Sequence, residues 1–167
     1  MVRYLAAFLF VVLVVAANWL TATFGVVAGL VTAGTFAAGL VLLVRDWLQE
    51  VGGRWWVVAA IAAGALISVW MSSPALALAS GVAFAVSELA DFAVYTPLRR
   101  RTLAGSMALS NTVGAVVDSL LFLSLAGFPP TQWATQSVIK VAVTLPFIAV
   151  VVIGNAVLRN RIRTQRV

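Results

Sequence analysis

Four ionisable residues lie inside apolar stretches of this sequence: Glu88, Asp91, Asp118 and Lys140. A charge at the centre of a bilayer costs at least about 2.5–3.5 kcal/mol, so such residues normally face a cavity or each other. Asn18 and Asn111 add side chains that both donate and accept. The chemistry on offer is therefore recognition of a polar small molecule by hydrogen bonds. Helical spacing groups these residues further. Glu88, Asp91 and Tyr95 follow i, i+3, i+7, as do Asn111, Gly114 and Asp118 on another stretch. With a rise of about 1.5 Å per residue, Glu88 lies roughly 16 Å from Arg99, Asn18 about 22 Å from Arg3, and Lys140 roughly 28 Å from Arg159. These depths predict that Asn18, Glu88, Asp118 and Lys140 meet between the middle and the outer face of a membrane. Asp91 falls about one turn closer to the cytoplasm. Phe84, Phe92 and Phe122 are candidate aromatic walls. Three acids against one base leave surplus negative charge, which a proton, a substrate or a cation would complete. The plainer alternative is an interhelical ion pair, such as Lys140 with Asp118.

The elements that must hold these residues are set by hydropathy. Of 167 residues, 63% are hydrophobic and only 10% charged, whereas a soluble domain is about a quarter charged. That excludes a water-soluble domain and a disordered chain. Apolar runs of about 20 residues cross a hydrocarbon layer roughly 30 Å thick, and in lipid they must be helices, because the backbone has to bond to itself. Six spans are expected, at about Tyr4–Phe24, Val27–Leu48, Trp55–Met71, Ala75–Leu98, Ser106–Phe128 and Trp133–Leu158. The fold class is thus an all-α membrane bundle in a single domain over residues 1–167. Gly52-Gly53, Ser72-Ser73-Pro74, Pro97 and Pro129-Pro130 separate spans, and Pro146 is a candidate kink. Gly25 and Gly29 have the small-xxx-small spacing of close helix packing.

The arginines set the orientation. Arg3, Arg45, Arg54, Arg99 to Arg101 and the cluster Arg159, Arg161, Arg163 and Arg166 all fall on one side of a six-span arrangement. The positive-inside rule then predicts cytoplasmic termini. Trp47, Trp55 and Trp56 suit an interfacial belt, and Arg45-Asp46 reads equally as an interfacial pair or a functional one. The net charge of +6 is accounted for by topology and lipid headgroups, with no nucleic-acid partner. The first apolar run continues past Ala17 to Phe24 without a small-x-small cleavage site, so a retained helix is expected.

The chain has no Cys, and no His, which excludes thiolate or imidazole metal sites, disulfides and the Ser-His-Asp triad. It has no phosphate-binding glycine loop. No metal, cofactor or enzymatic activity is expected, and transport would run by facilitated diffusion, an ion gradient or an energising partner.

Two segments resemble a known family. Ala79 to Arg99, with Glu88, Asp91 and Tyr95 before a Leu98-Arg99 end, is similar to the fourth-helix motif of the queuosine precursor transporters, also called the VUT family. Ser110-Asn111 through Gly114, Asp118-Ser119 and Phe122 resembles that family's fifth-helix motif, and Asn18-Trp19-Leu20 resembles an early Asn-aromatic-Leu element. Arg45-Asp46 and Lys140 fall at plausible family positions. The resemblance implies a fold related to vitamin-uptake substrate-binding components. It also implies uptake, across the inner membrane, of 7-cyano-7-deazaguanine or its aminomethyl relative for tRNA modification. A guanine-like edge presents a ring N–H beside an exocyclic amine, and a carboxylate (Glu88 or Asp118) accepts both in parallel. Asn18, Asp91 and Asn111 are further candidate contacts. Lys140 can donate to the ring carbonyl or nitrile. The other reading is a non-transporting binding subunit or a small structural membrane protein, whose acids merely pair with Lys140. Membrane lipids are partners in either case, and a homodimer is possible.

Overall fold

The computed structural model describes residues 1–98, 103–146 and 149. Arg99 to Arg101, the tail arginines, the Phe92 side chain and the end of the sixth expected span lie outside the described residues. Among the described residues there are six helices. They are α1 (Val2–Phe24), α2 (Thr35–Gly52), α3 (Arg54–Met71), α4 (Pro74–Leu98), α5 (Leu103–Ala126) and α6 over 133–146. A short antiparallel hairpin, β1 (Val26–Val27) with β2 (Val31–Thr32), joins α1 to α2. A 3-10 turn, Pro130–Gln132, precedes α6.

Local chemistry explains the breaks. Gly53 has φ +80 and separates α2 from α3. The Ser73 hydroxyl accepts from the Leu76 amide at 3.1 Å, capping α4 with Pro74 at its first position. Gly127, at φ +73, ends α5, and the Phe128 amide donates back to the Leu123 carbonyl at 2.9 Å. That 6→1 bond satisfies one of the helix's last carbonyls.

The second expected span starts later than the sequence suggests. Residues from Val27 were expected to be helical, but α2 begins at Thr35. Gly25, Ala28 and Gly29 all have positive φ, which a right-handed helix does not accept. Between and after them, Val26, Val27, Val31 and Thr32 are β-branched and suit extended backbone. The Gly25/Gly29 spacing therefore belongs to a turn and not to helix packing.

Contacts fix the helix directions. Val14 packs on Gly64, and Asn18 bonds Ser68, so α1 and α3 run the same way. Gln136 bonds Thr32, and Val143 packs on Gly39, so α2 and α6 run the same way. One end of the bundle carries the hairpin, with Gln132 Nε2 reaching the Gly29 carbonyl at 3.4 Å. At the other end the Arg3 guanidinium lies over the Tyr4 and Trp56 rings, at 5.1 and 5.3 Å. These are called the hairpin end and the arginine end below.

The surface is inverted relative to a soluble protein. Trp70 is 91% exposed, and Phe8, Leu66, Leu78 and Leu89 are also exposed. Asn18, Thr32, Thr35, Arg45, Asn111, Gln136 and Lys140 are buried. Helices α1, α3 and α4 are long and apolar enough to cross a membrane, as is α5 over Gly105–Ala126. The apolar core joins Ala6 and Phe10 of α1 to Val41 and Leu48 of α2 and Val57 and Ala60 of α3.

Gly34 permits the closest approach of α1 and α2. A methyl group there would overlap the Ala17 carbonyl and sit 2.5 Å from Thr21 Oγ1. Gly34→Ala is expected to destabilise the protein by about 1–3 kcal/mol, seen as a lower thermal midpoint in detergent. Gly81→Ala, whose methyl would meet only Ala65 Cβ at 3.7 Å, is expected to stay within about 0.5 kcal/mol of the parent.

Candidate functional site

Two polar clusters lie inside the bundle, and they divide the candidate residues between them. The first surrounds a partly enclosed cavity towards the hairpin end. Its walls come from α1 (Asn18, Thr21), the hairpin (Thr32), α2 (Thr35), α4 (Ser80, Phe84), α5 (Asp118, Phe122) and α6 (Gln136, Lys140). The free space is about 520 Å³, the part continuous with the exterior included.

Lys140 is the charged centre of this cavity. It is buried, and its Nζ donates to Asp118 Oδ2 at 2.6 Å and to Ser119 Oγ at 3.1 Å. The pair expected as the plainer alternative is therefore present, and it lines the cavity. Asn18 Nδ2 donates to Ser68 Oγ at 3.0 Å, which holds the amide against α3. Thr21 Oγ1 accepts from the Gly34 amide at 3.2 Å, tying α1 to the start of α2. Phe84 stands edge-on to Phe10, with centroids 5.6 Å apart, and Phe122 stacks on Phe128 at 6.1 Å. Both rings are braced by another aromatic and still face the cavity.

The second cluster is centred on Arg45, nearer the arginine end. Arg45 is 4% exposed. Its Nε and Nη2 both donate to Asp46 Oδ1, at 2.8 and 2.6 Å. Its Nη1 donates to Glu88 Oε2 at 2.6 Å, and its Nη2 also reaches Asn111 Oδ1 at 3.2 Å. Asp91 Oδ2 lies 3.7 Å from Nη1. One guanidinium thus joins α2, α4 and α5. A planar fork with five donors suits such a node better than an ammonium would.

The structure brings Asn18, Asp118, Lys140, Phe84 and Phe122 together, as expected from the sequence. It does not bring Glu88, Asp91 or Asn111 to the cavity: α4 turns Glu88 and Asp91, and α5 turns Asn111, towards Arg45. The charge balance changes accordingly. The cavity pair, one ammonium and one carboxylate, is neutral. The surplus sits around Arg45, where Asp46, Glu88 and Asp91 are three carboxylates against one guanidinium. Sequence reasoning weighed an interfacial and a functional role for Arg45-Asp46 equally, and it overlooked Thr32, Thr35 and Gln136. In α2 Arg45 stands at position 11 of 18 residues, but the expected span to Leu48 put it near a helix end, so the sequence held no signal of its depth.

Comparison with known proteins adds the family. The family model described as "Putative vitamin uptake transporter" matches residues 4–154. The chain belongs to this family. It is a multi-pass membrane protein of a transporter family, in agreement with the resemblance carried by the two central motifs. No curated protein and no solved structure matches it.

The buried pair has a measurable signature. Removing one partner of a buried ion pair costs about 3–5 kcal/mol, because the other charge is left stranded, whereas replacing both is much milder. Lys140→Met alone is expected to lower stability by that amount. The double variant Lys140→Met with Asp118→Leu is expected to recover most of it, read by thermal unfolding of the purified protein in detergent.

Proposed function

We propose that the protein is an uptake transporter of the inner (cytoplasmic) membrane for a queuosine precursor, 7-cyano-7-deazaguanine or its aminomethyl relative. In this reading it has six spans and both termini in the cytoplasm. The observation that carries the reading is the cavity, where a neutral ammonium–carboxylate pair, an amide and two phenyl rings converge inside a bundle with an apolar exterior. A flat, uncharged, nitrogen-rich guest suits such a lining, which favours the cyano base over its aminomethyl relative, a cation at neutral pH. Phe84 and Phe122 offer faces for stacking. Asp118 accepts the ring N–H and exocyclic amine in parallel, Lys140 donates to the ring carbonyl, and Asn18 supplies a further polar contact. Membership of a transporter family supports the transport step. The substrate rests on the likeness of the Ala79–Arg99 and Ser110–Phe122 segments to the queuosine precursor transporters.

The Arg45 cluster has a separate role in this reading. Glu88, Asp91 and Asn111 contribute to transport by holding Arg45 across α2, α4 and α5, which closes the path from the cavity to the arginine end. The hairpin end is then the side from which the guest enters. Opening towards the cytoplasm requires the bonds to Arg45 to exchange partners.

Labelled 7-cyano-7-deazaguanine should accumulate in cells that lack their own transporter and biosynthesis only when this gene is supplied. Asp118→Asn, verified in the membrane, is expected to reduce initial uptake by about ten- to a hundredfold, the value of a hydrogen bond to a charged group. Wild-type rates in both Asp118→Asn and Lys140→Gln would defeat the proposal. Orientation can be read separately, because the chain has no native cysteine. An impermeant maleimide is expected to label Thr131→Cys in intact cells, and Glu50→Cys only after permeabilisation. The opposite pattern would invert the topology.

A further inference from the structure

A polar atom in the cavity wall, Gln136 Oε1, has no partner among the described residues. Gln136 is 1% exposed and lines the cavity. Its Nε2 donates to Thr32 Oγ1 at 3.3 Å, and Thr32 Oγ1 is 3.1 Å from Thr35 Oγ1. These two bonds fix the amide against the hairpin and the first turn of α2. Gln136 Oε1 is buried and has no hydrogen-bond partner among the described residues. Buried polar atoms are nearly always bonded, so an acceptor in a cavity wall without a protein partner takes its donor from what fills the cavity, a water or a guest. The site is built for this purpose: Thr32, Thr35 and Gln136 are all fully buried, and each comes from a different element.

Position says which part of a guest the amide meets. Gln136 and Lys140 are four residues apart on α6, on one face and about 6 Å apart along the axis. The cavity therefore has a charged pole at Lys140–Asp118 and a neutral accepting pole at Gln136. If a carboxylate at the charged pole takes the pyrimidine edge of a deazaguanine, as proposed above, the five-membered ring lies towards the other pole. That ring carries one donor, its pyrrole N–H. It is the same nitrogen that bears the sugar in a nucleoside.

The geometry points to Gln136 as the residue that selects the free base over its N-substituted forms, by accepting the pyrrole N–H at Oε1. The assignment rests on the deazaguanine reading of the cavity. A base substituted at this nitrogen offers no proton to Oε1 and brings bulk against an amide that Thr32 holds in place. Such a ligand leaves the acceptor stranded, which is how a site built around a hydrogen bond rejects an analogue that lacks it.

The test is competition binding to the full chain purified in detergent, with labelled 7-cyano-7-deazaguanine as probe. The competitors are the unlabelled base and its pyrrole-N-methyl derivative. The wild type is expected to prefer the unsubstituted base by about tenfold or more, one well-made hydrogen bond's worth. Gln136→Met, of similar size but without the acceptor, is expected to bind the two ligands within about twofold of each other, within the scatter of such comparisons. Gln136→Glu, which keeps an acceptor, is expected to retain a preference for the N–H form. Equal binding of both ligands by the wild type overturns the assignment without recourse to any variant. A preference that survives in Gln136→Met, while the probe still binds, overturns it and leaves the cavity reading intact. A wild-type protein that does not bind the probe at all overturns the cavity reading and this assignment together.

Discussion

Hydrocarbon cannot donate or accept a hydrogen bond, so every polar side chain placed within a membrane must find its partner inside the protein. That constraint orders this structure more than apolar packing does. Lipid tails are as apolar as leucine, and burying one more leucine between helices therefore gains little. A stranded amide, carboxylate or guanidinium in the same place is costly. The outcome is a bundle whose exposed residues are Phe8, Leu66, Trp70 and Leu89 and whose buried ones include Asn18, Arg45, Asn111, Gln136 and Lys140. The two cations act as nodes. Lys140 draws α5 to α6 through Asp118 and Ser119, and Arg45 draws α2 to α4 and α5 through Glu88 and Asn111.

The same constraint separates the two nodes by function. An ammonium with one carboxylate and one hydroxyl is satisfied and neutral, so the space beside it can take an uncharged guest without creating net charge in a low-dielectric interior. The guanidinium is outnumbered in charge, three carboxylates to one. Asp46, Glu88, Asp91 and Asn111 all approach it, and Asp91 Oδ1 has no partner among the described residues. Such a donor can pass from one acceptor to another, because a lost bond is replaced. A singly paired charge such as Lys140 has less freedom to do so.

Much of this was legible in the sequence, and the parts that were not have physical reasons. Chain breaks at Gly53 and Ser73-Pro74 were readable because they rest on local backbone chemistry. The meeting of Asp118 with Lys140 followed from depth, since two opposite charges at similar heights in lipid seek each other. The position of Glu88 did not follow, because a rise of about 1.5 Å per residue gives height but not the direction a helix face points. Its partner, Arg45, was masked by standing beside Asp46, which made an interfacial pair a sufficient explanation. The hairpin was hidden by its own hydropathy. Val27, Leu30 and Val31 read as apolar helix, and only the positive φ at Gly25, Ala28 and Gly29 shows otherwise. Thr32, Thr35 and Gln136 are neutral polar residues, so nothing in a count of charges marks them.

That hidden hairpin matters to the site because it replaces a helical turn with backbone that can enter the bundle. A helix from Val27 onward would have satisfied its own amides and presented one residue in three or four to the interior. The hairpin presents both residues of β2, Val31 and Thr32, as buried. It sets the Thr32 hydroxyl where Gln136 and Thr35 can reach it. Irregular backbone at membrane depth is tolerated where protein covers it or where it lines a cavity; Val31 and Thr32 are covered and Thr32 lines the cavity, while Val27 and Leu30 at the tip are exposed. The bonds that hold it, Gln132 to Gly29 at 3.4 Å and Gln136 to Thr32 at 3.3 Å, are long and neutral. Those around Arg45 are short and charged, at 2.6–2.8 Å, and such bonds are about twice as strong. The bundle is therefore fastened unequally at its two ends. The cavity lies between them, crossed by one short charged bond, Lys140 to Asp118 at 2.6 Å, so a guest that competes for donors and acceptors has least to displace on its hairpin side.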